Sequence, residues 1–467
     1  MYTIDFSSPV HVHFIGIGGI SMSGLAELLY KNGFKISGSD AKRSDVTKHL
    51  EALGIDVSYG QRPSNIPKET DCVVFTAAIK PDNEEFVAAG ERNLPMLERA
   101  ELLGQIMLYF KSSIGIAGTH GKTTTTSMLS LILIDAGKDP TVSVGGILKN
   151  IGGNIRIGNS DIFVAESCEY TNSFLKFNPK HEIILNIEAE HLDFFKDIDD
   201  IRHSFKEFAL KIPKDGNLVI NSEINNCFEI VKDLQCNVIT YGVADEQSGI
   251  GIADCNFTAA NVTFNSEGFG SYDLYKDGVL LGHIRLNVIG RHNVSNSVSA
   301  AALAYTLGVS FDSIACSLSA FSGTNRRFEH KGEIGGVKII DDYAHHPTEI
   351  RATLTAAKAC PHNRIFVVFQ PHTYSRTKIL LKDIASALSE ADEIVLTPIY
   401  AAREKNPGDI SSYDIVRELE KLGKKSVCFE GFDEIENYLL EHCTNGDLLI
   451  TMGAGDVVTI GEALLGK

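Results

Sequence analysis

The sequence predicts an α/β protein of three domains, and three observations carry that expectation. At 467 residues the chain exceeds what one hydrophobic core usually serves, since domains run to roughly 100–200 residues. Apolar strand-like runs alternate with amphipathic helix-like runs, and this rhythm restarts near Lys111 and again near residue 325. Between them, from about 250 to 290, the pattern changes to period two, the mark of a half-buried antiparallel layer. The expected domains are 1–110, 111–323 and 324–467.

The first domain opens on the apolar strand "VHVHFIG", followed by "GIGGISMSGLAELLYKNG", a glycine turn leading into a helix with Met22, Leu25, Ala26, Leu28 and Leu29 on its apolar positions. "FKISGSD" is a second strand ending in Asp40, and "DCVVFTAAI" a further buried strand whose end carries Thr76 and Ala78. Gly16, Gly18 and a downstream acidic residue suggest a dinucleotide fingerprint, in which the acid binds a ribose hydroxyl. The third glycine position is Ser21, so the fingerprint is incomplete; a nicotinamide-dependent dehydrogenase is the reading it would support.

The second domain begins with "SSIGIAGTHGKTTTT". The strict phosphate-loop pattern would place glycine at Ile116, so the core is the shorter "GTHGKT", Gly118 to Thr123. Gly118 and Gly121 let backbone N–H groups converge on phosphate oxygens, and the helix starting near Lys122 offers its positive end. Lys122 can neutralise β- and γ-phosphate charge, and the hydroxyl of Thr123 or Thr124 can complete a Mg²⁺ shell. Such an ion needs hard ligands: Glu166 ends the strand "DIFVAES", and His191 follows "HEIILNI", with Glu169, Glu188, Glu190 and Asp193 as neighbouring carboxylates. His120, inside the loop, is read as bracing the loop or acting as a base. The antiparallel layer follows, with "NVTFN" and "SYDLYKDGVLLGHIRLNVI" and an Asp277-Gly278 turn, then a helix after "GRHN" in which Asn293 is either a nucleotide contact or an N-cap.

The third domain repeats the α/β rhythm, with "VKIIDDYA", "RIFVVFQPH", "EIVLTPI", "SVCFEG" and "DLLITMGAGD" as strands. Ligands of open sheets bind beyond strand carboxyl ends, so the loops "DDYAHHP", "QPHTYSR" and "GAGD" are expected to face one cleft.

Composition excludes several function classes. A net charge of -17 without a basic patch argues against nucleic acid as a partner. Nine cysteines without a C-x-x-C pair give neither a zinc cluster nor a disulfide framework, and point to a reducing cytoplasm. No basic region precedes the first apolar run, and no 18-residue apolar stretch follows, so neither secretion nor a membrane span is expected.

In order along the chain, "HFIGIGGISMSGLA", "GTHGKTTT", "AESCEYTNSFL", "EAEHLDFF", "GRHNVSN", "GTNRRFE", "DDYAHHPTEI" and "FQPHTYSRT" resemble the Mur ligases, and the resemblance covers essentially the whole chain. It implies an N-terminal Rossmann-like UDP-binding domain, a central P-loop ATPase-like domain with the small antiparallel layer, and a C-terminal Rossmann-like α/β domain. It implies also an ATP- and Mg²⁺-dependent reaction, with Mn²⁺ as an alternative ion. The γ-phosphate activates a carboxylate as an acyl phosphate, an amine attacks it, and amide, ADP and phosphate leave. "GIGGI" and the histidine of "GTHGK" favour L-alanine as the amine and the lactyl carboxylate of UDP-N-acetylmuramate as the acid; another amino-acid or peptide ligase of the family is the alternative.

By the same resemblance, Gly118, Thr119, His120, Gly121, Lys122, Thr123 and Thr124 hold the ATP phosphates, and Lys122 stabilises the moving phosphoryl group. Thr123 and Glu166 share one metal ion, Glu166 and His191 a second. Gly18, Gly19, Ile20 and Ser21 approach the UDP diphosphate, Asp40 lies toward the nucleoside, Thr76 and Ala78 line that pocket, and His120 faces the sugar nucleotide. Asn293 reads adenine and Asn296 arranges the nucleotide side. Arg326, beside Arg327, reaches the phosphates on domain closure. Asp342 orients phosphate-side groups, Tyr343 and His345 meet substrate, and Arg376 grips a carboxylate, more so because Thr373 stands where relatives often carry arginine. A monomer or weak homodimer is expected.

Overall fold

The computed structural model describes every residue except Met1, Ala77, Asp193, Gln247 and Arg403, and the side chains of Ile147 and Lys149 also lie outside the description. Asp193, one of the candidate carboxylates, is therefore outside the described residues. The fold is α/β throughout, as the alternation predicts, and divides into two compact units.

The first unit comprises Met1–Glu190, Asp197–Tyr241 and Ser299–Ser313. Its leading sheet is built from β1 (His11–Ile15), β2 (Lys35–Asp40), β3 (Asp56–Tyr59), β4 (Cys72–Phe75) and β5 (Met96–Glu98), all parallel in the order β3-β2-β1-β4-β5. The order reverses between β1 and β4, which opens a crevice at their carboxyl ends. Every residue of β1 is buried, including His11 and His13, each 2.9 Å from the Ser37 hydroxyl. The helix Ile20–Lys31 buries Met22, Leu25, Ala26, Leu28 and Leu29, the face its spacing predicts.

The second sheet of this unit uses β6 (Ser112–Ala117), β7 (Thr141–Leu148), β8 (Gly153–Arg156), β9 (Ile162–Ser167), β10 (His181–Ile184), β11 (Asn217–Asn221) and β12 (Asn237–Val243), in the order β12-β11-β10-β6-β9-β7-β8. All of these pairings are parallel except the β7–β8 hairpin. The helix Lys122–Asp135 is buried from Thr124 to Leu133. A helix apolar or neutral all round belongs in an interior, and its threonines read accordingly.

The second unit comprises His191–Lys196, Gly242–Val298 and Ile314–Lys467. It contains the expected antiparallel layer, β13 (Phe257–Phe264), β14 (Phe269–Lys276) and β15 (Val279–Ile289). Asp277 and Gly278 turn between the last two with φ of 49° and 77°, the positive pair that a two-residue hairpin requires. Its other sheet is β16 (Glu329–Ile334), β17 (Val337–Asp342), β18 (Ile365–Phe369), β19 (Glu393–Leu396), β20 (Ser426–Cys428) and β21 (Leu448–Met452), in the order β16-β17-β21-β18-β19-β20. Only the edge strand β16 is antiparallel. Alternate residues of these strands feed two cores, one around Ile340, Val367 and Ile450, the other around Ile339, Phe366 and Leu449. Among the described residues no helix is long and apolar enough to cross a membrane, and none of the nine cysteines is in a disulfide.

One residue sits uneasily in this architecture. Glu182, in the middle of β10, is fully buried and neither carboxylate oxygen has a hydrogen-bond partner. Burial pushes its pKa well above the ordinary 4.5. The folded chain thus keeps a proton that the unfolded chain has released, and rising pH opposes folding. Glu182→Gln should match the wild type in unfolding free energy near pH 4.5 and exceed it increasingly toward pH 8, by up to about 1.4 kcal/mol per pH unit until the raised pKa is passed. Parallel unfolding free energies at all pH values would contradict this account.

Candidate phosphate-loop and ligation site

The phosphate loop is fixed by where β6 ends. Gly118 has φ +144°, and a Cβ there would lie 2.9 Å from Leu185 Cβ, so the chain can pass β10 only with glycine at this point. Gly121, with φ +84°, is the left-handed N-cap of the helix Lys122–Asp135, and no side chain caps that helix. Its first-turn N–H groups are left for an anion.

Lys122 is the centre of the loop. Its ammonium donates to the carbonyl of Gly118, to the carbonyl of Thr119 at 3.1 Å and to Glu169 Oε2 at 2.9 Å. Burial alone would lower its pKa, but Glu169, aided by Cys168 and Glu166, outweighs that and holds it above the ordinary value. It is a firmly charged cation. Glu169 was one of several equivalent carboxylates in the sequence; only its position beyond the end of β9 selects it.

The histidine in the loop is held from the neighbouring strand exit. Asn186 accepts the His120 N–H at 2.8 Å and donates to the His120 carbonyl at 3.1 Å, while Thr119 Oγ1 accepts the Glu188 N–H at 2.9 Å. The His120 ring then stands with Nε2 3.6 Å from Glu188 Oε2. Asn186 was missed by sequence reasoning, because an asparagine after a strand carries no signal of what its amide clamps.

Glu166 lies at the end of β9 beside Ile116 and accepts the Gly145 N–H at 2.6 Å. A Cβ on Gly145 would meet its carboxylate at 2.8 Å, and one on Gly146 would meet Thr123 Cγ2 at 3.3 Å. The glycine pair of β7 therefore touches both oxygen-bearing residues expected around a metal ion, and a hydroxyl with a carboxylate is the hard donor set Mg²⁺ prefers. The β7–β8 hairpin was not anticipated, since Gly145 and Gly146 interrupt the strand pattern that would have revealed it. The third expected ligand, His191, belongs to the second unit, where it has φ 57° and its carbonyl accepts the N–H groups of Phe194 and Phe195, both at 2.9 Å.

In the same unit as the phosphate loop, the crevice at β1 and β4 gathers the expected sugar-nucleotide residues. Gly16 turns with φ +83°, and a Cβ there would lie 3.3 Å from Thr76 Cγ2, while the Gly18 N–H donates to Asp40 Oδ2 at 2.8 Å. Gly19 is the N-cap of the helix Ile20–Lys31, uncapped by any side chain, and Ile20 and Ser21 form its first turn. Asp40 thus braces the glycine turn. Ala78 donates its N–H to Thr76 Oγ1 at 3.3 Å. The hairpin reaches this helix too: Asn154 Nδ2 donates to the Ile20 carbonyl at 2.8 Å, and a Cβ on Gly24 would meet Ile155 Cδ1 at 3.0 Å.

In the second unit the three expected loops do converge, because β21 lies between β17 and β18. Arg326 donates to Asp341 at 3.1 Å and to the Gly453 carbonyl at 2.7 Å, and its guanidinium lies 5.0 Å from the centre of the Tyr343 ring; that of Arg327 lies 5.2 Å away. Tyr343 and His345 meet edge to face at 5.6 Å, His345 lies 5.6 Å from His372, and Arg376 Nη1 is 3.0 Å from His372 Nδ1. Thr373 caps the short helix carrying Arg376. Asn293 is the third residue of the helix Arg291–Thr306 and donates to the Ile289 carbonyl at 2.8 Å, so it sits inside the first turn instead of capping it; Asn296 donates to it at 3.2 Å.

A lysine-led helix behind a glycine turn, with an acidic strand end alongside, defines a phosphate-loop nucleotide enzyme. The described family domains run along this chain in order: the Mur ligase family catalytic domain matches residues 11–111, the Mur ligase middle domain 116–304, and the Mur ligase glutamate ligase domain 326–455. The UDP-N-acetylmuramate--L-alanine ligase of Lachnoclostridium phytofermentans is 59% identical over all of both chains, and that of Agathobacter rectalis 57%. The crystal structure of UDP-N-acetylmuramate-alanine ligase from Thermotoga maritima is similar with a TM-score of 0.81, at 29% identity over 98% of each chain. A murein peptide ligase from Psychrobacter arcticus shares the fold with a TM-score of 0.72, at 24% identity and 98% coverage of each chain. The chain belongs to the Mur ligase family.

Asp342 is the expected site residue whose work is most visible. It is buried, which pushes its pKa up to about 6, and it accepts the N–H groups of Phe328 at 2.9 Å and Ala344 at 2.8 Å. Those bonds hold a turn in which Arg326 and Phe328 have φ of 61° and 49°, conformations that non-glycine residues adopt only under constraint. Asp342→Ala should destabilise the chain by about 1–3 kcal/mol in urea unfolding, the cost of stranding one buried and one part-buried amide, and an unchanged midpoint would remove Asp342 from this role.

Proposed function

We propose that the chain joins L-alanine to the lactyl carboxylate of UDP-N-acetylmuramate at the expense of ATP, a step in making peptidoglycan precursors. One observation carries the reading: the charged Lys122 loop and the uncapped glycine turn at Gly18 stand in one compact unit of a chain that matches alanine-adding relatives over its full length. A dehydrogenase is inconsistent with that family.

A carboxylate is a poor electrophile because its leaving group would be oxide. Its oxygen attacks the γ-phosphorus of ATP, the bond to the ADP oxygen breaks, and an acyl phosphate results. The alanine amine then adds to the acyl carbon, and the tetrahedral adduct expels phosphate to leave the amide. Lys122 and the first-turn N–H groups bear on the charge that moves between oxygens, with Gly118, Thr119, Gly121 and Thr124 shaping the loop. His120, pinned through its backbone by Asn186, faces the sugar nucleotide. Gly18 to Ser21, Asp40, Thr76 and Ala78 hold the UDP part, and Asn293 and Asn296 hold the adenine side. Arg326 contacts phosphate, and Tyr343, His345 and Arg376 meet the substrates. Thr123, Glu166 and His191 would hold Mg²⁺, which screens the approach of two anions when bound. A reducing cytoplasm suits nine cysteines of which none is joined in a disulfide.

Phosphate release with Mg-ATP should require UDP-N-acetylmuramate and L-alanine together, and screening the 20 standard amino acids plus D-alanine and D-glutamate should single out L-alanine. Release without the sugar nucleotide, or preference for another amine, would reject the reading. Lys122→Ala should cut turnover by about 100-fold or more while leaving the far-ultraviolet dichroism unchanged. Gly145→Ala crowds Glu166, and should raise the Mg²⁺ concentration for half-maximal activity about 10-fold.

A further inference from the structure

A wholly buried carboxylate is bonded to the loops of the sugar-nucleotide crevice. Glu85 lies in the first turn of the helix Glu84–Glu91, two residues past the N-cap Asn83, whose side chain accepts the Glu85 N–H at 3.0 Å. Both of its carboxylate oxygens are engaged. Oε2 accepts the Ser39 hydroxyl at 2.5 Å and stands 3.5 Å from His13 Nε2, while Oε1 accepts the Asn65 side-chain amide at 2.5 Å and the Arg62 N–H at 3.1 Å. Burial alone would raise its pKa, but His13, Ser39, Asn65 and the Arg62 amide outweigh that and hold the carboxyl below the ordinary 4.5.

Two of these bonds lead on to the crevice. Ser39 stands next to the end of β2, and its carbonyl accepts the N–H groups of Gly16 at 2.8 Å and Ile17 at 2.9 Å, the first two amides of the glycine turn. Asn65 also donates to the Gly60 carbonyl at 2.6 Å, and the Gly60 N–H donates to the Asp40 carbonyl at 2.9 Å. Asp40 in turn accepts the Gly18 N–H. One side chain thereby spaces the exits of β1, β2 and β3. Core stability does not ask for this, since a buried ionised group is costly and an apolar side chain of similar volume often serves as well or better. A satisfied polar network adds a single fixed arrangement of the segments it joins.

We propose that Glu85 is a positioning residue for the sugar nucleotide: the reach of its side chain sets the spacing of Ser39 and Asn65, and through them the glycine turn and Asp40 that receive the UDP part. This rests on the ligase reading above. Glu85 is wholly buried and acts only through these neighbours; no proton passes through it. Its length is the property that matters. Glutamine has the same length and can keep the bonds, with Oε1 accepting from Asn65 and Arg62 and Nε2 donating to the Ser39 oxygen. Aspartate keeps the charge but is shorter by one methylene, so it cannot hold Ser39 and Asn65 at their present spacing.

Steady-state phosphate release by the full chain, with Mg-ATP and L-alanine, tests this. Glu85→Asp should raise KM for UDP-N-acetylmuramate about 10- to 100-fold, the effect of a displaced binding turn, and leave kcat and KM for ATP within about threefold. Glu85→Gln should bring KM for the sugar nucleotide back to within about threefold of wild type. Ser39→Ala removes one hydroxyl and no backbone group; it should raise the same KM roughly 3- to 10-fold, and it carries the test if Glu85→Asp does not fold. A parallel rise in KM for ATP would mean that Glu85 only supports the fold of its unit. An unchanged KM for the sugar nucleotide in Glu85→Asp or Ser39→Ala would mean that the spacing is not used, and a Glu85→Gln enzyme as impaired as Glu85→Asp would mean that charge matters and reach does not. Any of these results overturns the proposal. Failure of the ligase reading would show separately, as a wild-type enzyme that releases no phosphate in response to L-alanine.

Discussion

A single ammonium buried among backbone carbonyls sets the terms for the rest of the first unit. Lys122 can remain charged there only because Glu169 lies 2.9 Å away and the carbonyls of Gly118 and Thr119 accept its remaining protons. That demand fixes the path of the chain on both sides. Gly118 has to slip past Leu185 where no side chain fits, and the segment after β9 has to bring Glu169 back under the loop. The strand β6, buried along nearly its whole length between β10 and β9, is what makes both approaches rigid.

The second organising element is the β7–β8 hairpin. Its glycine pair touches Glu166 and Thr123, and its return strand bonds to the first turn of the helix Ile20–Lys31. Two helix N-termini that no side chain caps are thereby tied, within one unit, through a single piece of antiparallel structure. A reaction between a phosphate bound at one and an acid delivered from the other needs such a tie, since orientation of the reacting groups supplies a large part of the rate.

Much of this was legible in the sequence, and the parts that were not share a cause. Periodicity revealed the buried parallel strands, the antiparallel layer and the helix faces, because burial imposes a repeat on apolar residues. Position relative to strand ends revealed Lys122, Glu166, Asp40 and the converging loops after β17, β18 and β21. The hairpin β7–β8 and the edge strand β16 escaped, since glycines replace side chains where backbones approach, and a solvent-facing edge has no apolar alternation to read. Glu169 and Asn186 escaped for a different reason. Each acts on a partner far away in sequence, and residue type alone cannot rank one carboxylate or amide above its neighbours.

The strand β21 occupies the middle of the C-terminal sheet although it follows every other strand of that sheet in the chain. Until it has emerged from the ribosome, β17 and β18 have no partner on their facing edges, and the loops that present Arg326, Tyr343 and His372 have no common floor. The protein therefore acquires this half of its machinery in one late, cooperative event, whereas the β1–β5 sheet can be complete while most of the chain is still unmade.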